Sequence, residues 1–182
     1  MALRSTVYRA ELTVSDLDRG VYGQHALTLA RHPSETEERM MVRLLAFALH
    51  ADETLEFGRG LSTEDEADLW QRDPTGVLLR WIDVGLPDER TIRKACGRAR
   101  EVVVLAYGAR RVDLWWEENA QALGRLSNLR VFTLTAAETE ALQSLVARSM
   151  TLTCTVQDGH VWLASEASTV ELRPALRCGA AG

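Results

Sequence analysis

Apolar and polar positions alternate strictly at both ends of the chain, and helical spacing marks much of the middle. Residues 4–14 and 21–31, rich in Val, Tyr, Thr and Leu, flank the polar turn Ser15-Asp16-Leu17-Asp18-Arg19-Gly20 and predict an N-terminal hairpin. Pro33-Ser34 then opens a helix, with Ser34 as N-cap, Glu37 completing a capping box, and Met41, Leu44, Leu45 and Ala48 as its buried stripe. A short strand over 54–60 precedes an acidic stretch, Thr63-Glu64-Asp65-Glu66-Ala67-Asp68-Leu69-Trp70, which reads as the solvated start of a short helix. After the Asp73-Pro74-Thr75-Gly76 turn, a strand runs from Leu78 to about Gly85 and a helix from about Asp88 to Arg100. The continuous apolar run Val102-Val103-Val104-Leu105 predicts a strand covered on both faces. Trp115 and Trp116 fall in a further helix, 129–134 in a strand and 136–147 in a helix. Near the C-terminus, Asp158-Gly159 separates two alternating runs at the spacing of a type I′ turn, pairing Val156 with Val161 and Cys154 with Leu163. A third strand near 169–172 completes a meander. The expected fold class is α/β, a central mixed β-sheet flanked by helices with β-hairpin extensions at both ends. One domain spans 1–182, divided into a hairpin (1–32), a core (33–148) and a meander (149–177).

Composition narrows the function classes. A hydrophobic fraction of 46% and a charged fraction of 26% are ordinary for a globular domain. The absence of an apolar run of about 18 residues, and of a leader-like segment after Met1, leads us to expect a cytoplasmic, soluble protein with no membrane partner. Cys96, Cys154 and Cys178 lack metal or redox spacing and read as ordinary thiols. A net charge of −5 excludes a protein that coats nucleic acid nonspecifically. The segment from Arg90 to Arg111 is the exception, carrying Arg90, Arg93, Lys94, Arg98, Arg100, Arg110 and Arg111 against the single acid Glu101. It is either a solvated face or a phosphate-facing patch for nucleic acid. Trp115 and Trp116 read as core filler, with a protein contact as the alternative.

Candidate chemistry centres on Asp83 and Lys94. Strand alternation places Asp83 on the face of Leu79 and Trp81, and a carboxylate among apolar groups needs a partner or a metal. Asp68 or Glu66 from the acidic stretch could join it around Mg2+ or Mn2+, since magnesium takes one or two carboxylates plus water and phosphate oxygens. Glu38 lies beside the buried stripe of the first helix, either aimed at the same site or reaching Arg31 or Arg43. Lys94 is the one lysine among twenty-one basic residues. On the helical wheel it points away from Ile92, Ala95, Cys96 and Ala99, alongside Arg90 and Arg98.

Long strings carry a resemblance over nearly the full length. They are Leu29-Ala30-Arg31-His32-Pro33-Ser34-Glu35-Thr36 continuing to Glu38-Arg39-Met40-Met41, Gly60-Leu61 with Asp65-Glu66, Trp81-Ile82-Asp83-Val84-Gly85 with Pro87-Asp88-Glu89 and Lys94-Ala95-Cys96, and Met150-Thr151-Leu152 with Gln157-Asp158-Gly159. With these the chain resembles the YaeQ family of bacterial proteins. The resemblance implies no activity of its own, but it implies a variation on the PD-(D/E)XK nuclease fold within the 33–148 core. By that likeness Glu38 is the first-helix glutamate, Asp68 the acid of the PD element and Asp83 the acid of the third element, all metal ligands, with Glu66 as a further candidate. The proline position is Ala67 and the lysine position is Gly85, so Lys94 would be a lysine displaced onto the following helix to orient the attacking water. The implied function is Mg2+-dependent phosphodiester hydrolysis of nucleic acid. The alternative is a noncatalytic module that binds nucleic acid or a protein partner on the same scaffold.

Overall fold

The structure of the protein, a computed structural model, describes residues 3–59 and 65–179. The first half contains β1 (Thr6–Asp16), β2 (Val21–Arg31), α1 (Glu37–Leu49), β3 (Leu55–Phe57), β4 (Leu69–Arg72), β5 (Leu78–Val84) and α2 (Glu89–Arg98). The second half contains β6 (Glu101–Ala106), α3 (Arg110–Leu123), β7 (Leu129–Thr133), α4 (Ala136–Gln143), β8 (Ser149–Gln157), β9 (His160–Ala164), β10 (Thr169–Leu172) and β11 (Ala175–Cys178). No helix among the described residues is long and apolar enough to cross a membrane. Glu64, Gly60 and Leu61 lie outside the described residues.

The central sheet is mixed, as the pattern predicts, with order β11-β7-β6-β5-β4-β3. Strands β5, β6 and β7 are parallel, joined by α2 and α3, and the flanking pairs are antiparallel. The end hairpins are more than extensions. They join into a second sheet, β10-β9-β8-β1-β2, in which β1 pairs with β8 in parallel from Arg9↔Ser149 to Asp16↔Val156. No local pattern encodes that pairing, because the partners lie at opposite ends of the chain. The Asp158-Gly159 turn forms as expected, with φ of 52° and 75° and with Val156↔Val161 and Cys154↔Leu163 in register.

Between the sheets lies α1, buried without interruption from Met40 to Ala48. The single stripe expected of it becomes a helix covered all round, because the second sheet covers the side that a one-sheet domain would leave wet. The opposite face of the central sheet packs Trp81, Val102, Val104 and Val131 against α2 and α3. Two further elements depart from expectation. The acidic stretch leads into β4 and not a helix, since Leu69–Arg72 pairs with both β3 and β5. Strand β11, without a strong apolar alternation, adds an edge next to β7.

The N-cap of α1 is Thr36, not Ser34. The Glu35 N–H donates to His32 O at 2.8 Å, so the chain turns once more before the helix begins. Thr36 Oγ1 then accepts from Arg39 N–H at 3.1 Å, while Ser34 Oγ lies 2.6 Å from His32 Nδ1. Thr36→Ala is therefore expected to lower the unfolding free energy by about 1 kcal/mol and Ser34→Ala by less than about 0.5 kcal/mol, measured by urea denaturation.

Candidate functional site

Strand β5 delivers Asp83 one residue before its end, where Gly85 turns the chain at a φ of 101°. Asp83 is 7% exposed. Trp81 Nε1 donates to its Oδ2 at 2.9 Å, so the shared face read from strand alternation holds in the fold. Across the β4–β5 ladder stands Asp68. The Asp68 N–H donates to Asp83 Oδ1 at 3.3 Å, and the Val84 N–H donates to Asp68 Oδ2 at 2.8 Å, so each carboxylate clasps the other strand's backbone. Gly58 permits this placement, since a Cβ there would stand 2.0 Å from Ala67 O, and its N–H donates to Asp68 O at 2.9 Å.

The electrostatics follow from the crowding. Burial first, and then the neighbouring charge of Asp68, push the Asp83 carboxyl up to about 6, against the Trp81 and Asp68 N–H bonds and Arg39. Arg39, from the first turns of α1, donates to Asp68 Oδ1 at 2.6 Å and to Glu35 Oε1 at 3.2 Å. Tyr107, immediately after β6, is half-buried and senses the same charges. Burial pushes its hydroxyl up to about 12, opposed by Arg39 and reinforced by Glu38, Glu35 and Asp68. Asp83 and Tyr107 thus sit at the C-terminal ends of parallel strands, the edge where α/β sheets present their sites.

Not every sequence candidate comes to this point. Glu38 is half-buried on α1 beside Arg39 and has no ion pair among the described residues; Arg43, one of its anticipated partners, bonds Glu35 instead. Glu66 Oε2 accepts from Arg59 N–H at 3.2 Å and is taken up by the end of β3. Lys94 pairs with Asp65 on the surface, its side chain 57% exposed. Apart from Gly85 and its two chain neighbours, no heavy atom among the described residues comes within 4 Å of where a Cβ would stand at Gly85, so Lys94 does not fill the space of a lysine two residues after Asp83. Beside it, Arg98 bonds Asp65 O at 3.0 Å and lies 5.0 Å from the Trp81 ring centroid. No group of three or more His, Cys, Asp and Glu side chains among the described residues is placed to hold a metal ion. The carboxylates that the fold does bring together are those of Asp68 and Asp83.

Two residues of the site, Arg39 and Tyr107, escape the sequence reading. Arg39 adjoins Glu38, but its partner Asp68 is 29 positions away. Tyr107 closes the apolar run of β6, and its place at the end of an internal strand is the signal that could have found it. Elsewhere Arg90, Arg100, Arg110 and Arg111 are exposed, whereas Arg93 pairs with Glu89. Trp115 is a core residue, 8% exposed, with Nε1 donating to Pro87 O at 2.8 Å. Burial pushes the Cys96 and Cys154 thiols up to about 11 and about 12, values of inert thiols.

Comparison with known proteins places this architecture. The YaeQ protein of Salmonella typhi is 47% identical over 174 residues, covering 95% of this chain and 96% of that one. Its counterpart in Escherichia coli K12 is 46% identical over 173 residues, covering 94% and 95%. The crystal structure of the YaeQ protein from Xanthomonas axonopodis pv. citri superposes with a TM-score of 0.94 at 55% identity, covering 97% of this chain and 99% of that one. That from Pseudomonas syringae gives 0.92 at 38% identity over 98% of each chain. The family model for YaeQ protein matches residues 1–174, and with a fold and sequence shared along nearly its whole length, this chain belongs to the YaeQ family.

Proposed function

We propose that the chain is a divalent-metal-dependent phosphodiester hydrolase on a variation of the PD-(D/E)XK nuclease fold, acting on nucleic acid. The observation that carries this reading is the Asp68–Asp83 pair, two carboxylates that each accept from the other strand's backbone at the C-terminal end of β5. Magnesium needs one or two carboxylates besides water and phosphate oxygens, so the pair suits Mg2+ or Mn2+, with Glu38 as a neighbouring third acid. Such an ion, when bound, supplies a water of lowered pKa and offsets phosphate charge. Asp83 contributes a fixed carboxylate, oriented by Trp81 Nε1 and the Asp68 N–H. Arg39 neutralises Asp68 at rest, and its guanidinium is the cation positioned to meet a phosphate near the pair. Permanently charged, it stabilises negative charge and takes no proton. Lys94, held outward by Asp65, has no part in this arrangement.

The test is Mn2+ binding by calorimetry, with cleavage of single-stranded, duplex and structured DNA and RNA in Mg2+ or Mn2+. Asp83→Asn is expected to lose both by about a hundred-fold or more, beyond the effect of disturbing an outer-shell partner. Lys94→Arg is expected to keep both within about two-fold, as for other exposed ion pairs. Wild-type protein that cleaves nothing on the panel would sink the hydrolase.

A second reading rests on Arg39. Its 2.6 Å bond to Asp68 already offsets one carboxylate, and all four oxygens of the pair have a donor. This favours a noncatalytic module whose exposed Arg90, Arg100, Arg110 and Arg111 meet nucleic acid or an acidic protein. In that case, Asp83→Asn leaves binding intact, and glutamine at the arginines flattens its salt dependence.

A further inference from the structure

At the other end of α1 the space between the sheets is open. The helix stops at Leu49, and beyond it a cavity of about 340 Å³ lies between the two sheets. Ile82, Leu105 and Phe132 of the central sheet and Val161 of the second sheet give it apolar walls. Charged side chains gather at one end, where β5, β6 and β7 begin. Arg80 Nε donates to Glu101 Oε2 at 2.6 Å, and Arg130 bonds the other oxygen of the same carboxylate. Arg19 is matched by Asp16 at 2.6 Å. One carboxylate thus serves two guanidiniums, which leaves one positive charge in excess among the inner groups. Asp18, exposed at the mouth, spends both oxygens on the N–H groups of Asp158 and Gly159.

His50 sits in the same wall, 8% exposed, as the C-cap of α1. The histidine ring hydrogen bonds among the described residues belong to His32 and His160, so neither ring nitrogen of His50 has a protein partner there. Burial, and then Arg80, Arg130 and Arg19, hold its pKa well below the ordinary value and keep the imidazole neutral, with one donor and one acceptor. Balancing Glu101 and the carbonyls of the helix end accounts for the arginines. It does not account for an imidazole in the cavity wall, 8% exposed, whose accessible ring nitrogens meet no protein group among the described residues.

We propose that this cavity binds a small amphipathic monoanion, a medium-chain aliphatic carboxylate, with its head at Arg80, Arg130 and His50 and its chain along Ile82, Leu105, Phe132 and Val161. The volume is at the small end of the roughly 300–1,000 Å³ typical of ligand pockets, which sets the chain length. A carboxylate matches the fork of a guanidinium and accepts from a neutral imidazole. The site is separate from the Asp68–Asp83 pair and does not depend on the hydrolase reading.

Octanoate, 1-octanol and acetate, titrated calorimetrically into the full chain, test it. Octanoate is expected to bind saturably, and the alcohol and acetate at least about ten-fold more weakly, a difference of about 1.4 kcal/mol. In protein with 15N-labelled histidine, the His50 ring resonances should shift with the same midpoint. His50→Phe and Arg130→Gln should each weaken octanoate binding about ten-fold or more. If either variant fails to fold, the ring titration of the wild type decides. Octanoate that does not saturate below about 10 mM, octanol that binds as tightly, or unmoved His50 resonances would overturn the proposal.

Discussion

Arg43→Ala is expected to cost about 3–5 kcal/mol of unfolding free energy, the range for removing one partner of a buried ion pair. Arg43 is 2% exposed in the middle of α1, and Glu35, 4% exposed, precedes the helix. The guanidinium donates Nε to Glu35 Oε1 at 2.7 Å and Nη2 to Oε2 at 2.8 Å, with a further bond to Ala30 O at 3.2 Å. Without it, Glu35 retains only the longer 3.2 Å contact from Arg39, and that guanidinium is shared with Asp68. The double variant Glu35→Met/Arg43→Met should recover much of the loss, because no buried charge is then left alone. Urea unfolding of Glu35→Met, Arg43→Met and the double variant at pH 7.5 measures the coupling. Equal losses in single and double variants would mean that packing of the arginine stem, not the charge, is what matters.

Asp83→Asn is expected to act in the opposite direction, raising stability at pH 7.5 in EDTA by about 3 kcal/mol. The rise of the Asp83 carboxyl from 3.8 to about 6 corresponds to about 3 kcal/mol of penalty on the ionised form in the fold. Because the folded value lies above the unfolded one, that stability is fully present below about pH 4 and is lost as pH rises through about 6. Asparagine abolishes the penalty, which is already net of the bonds that the ionised carboxylate accepts from Trp81 and the Asp68 N–H. Urea midpoints of wild type and variant should diverge between about pH 4 and 7 and coincide at about pH 3.5. A constant offset across that range would show that Asp83 is not the group titrating. Residues retained at a cost to the fold are characteristic of functional sites, so a stabilised variant that also loses Mn2+ binding would join the two observations.

The parts legible in the sequence were those with a local signature. Alternation placed the hairpins, the Asp158-Gly159 turn fixed a register, and the apolar run at 102–105 marked the internal strand. Alternation also put Asp83 on the face of Trp81, where their hydrogen bond now lies. Strand β4 was hidden because four residues are too few to show a period and acids precede them. Glu38, expected beside Asp83 as a metal ligand, is not among the groups that push the Asp83 carboxyl up, which are burial and then Asp68. Arg39 and Tyr107 gain their roles only from partners distant along the chain, which no pattern in a short window records. Lys94 is the reverse case. A unique residue in the composition proves to be an exposed partner of Asp65.

The parallel pairing of β1 with β8 also governs how the chain can be made. Arg9 meets Ser149, so an inner strand of the second sheet waits for its neighbour until 140 further residues have been added. At about 5–20 residues per second that wait is on the order of ten seconds. During it the hairpin and α1, whose length from Met40 to Ala48 is apolar except at Arg43, have no complete second sheet to cover them. The nascent chain therefore passes through a long interval of exposed strand edge and helix, and a chain truncated before residue 149 would keep both uncovered.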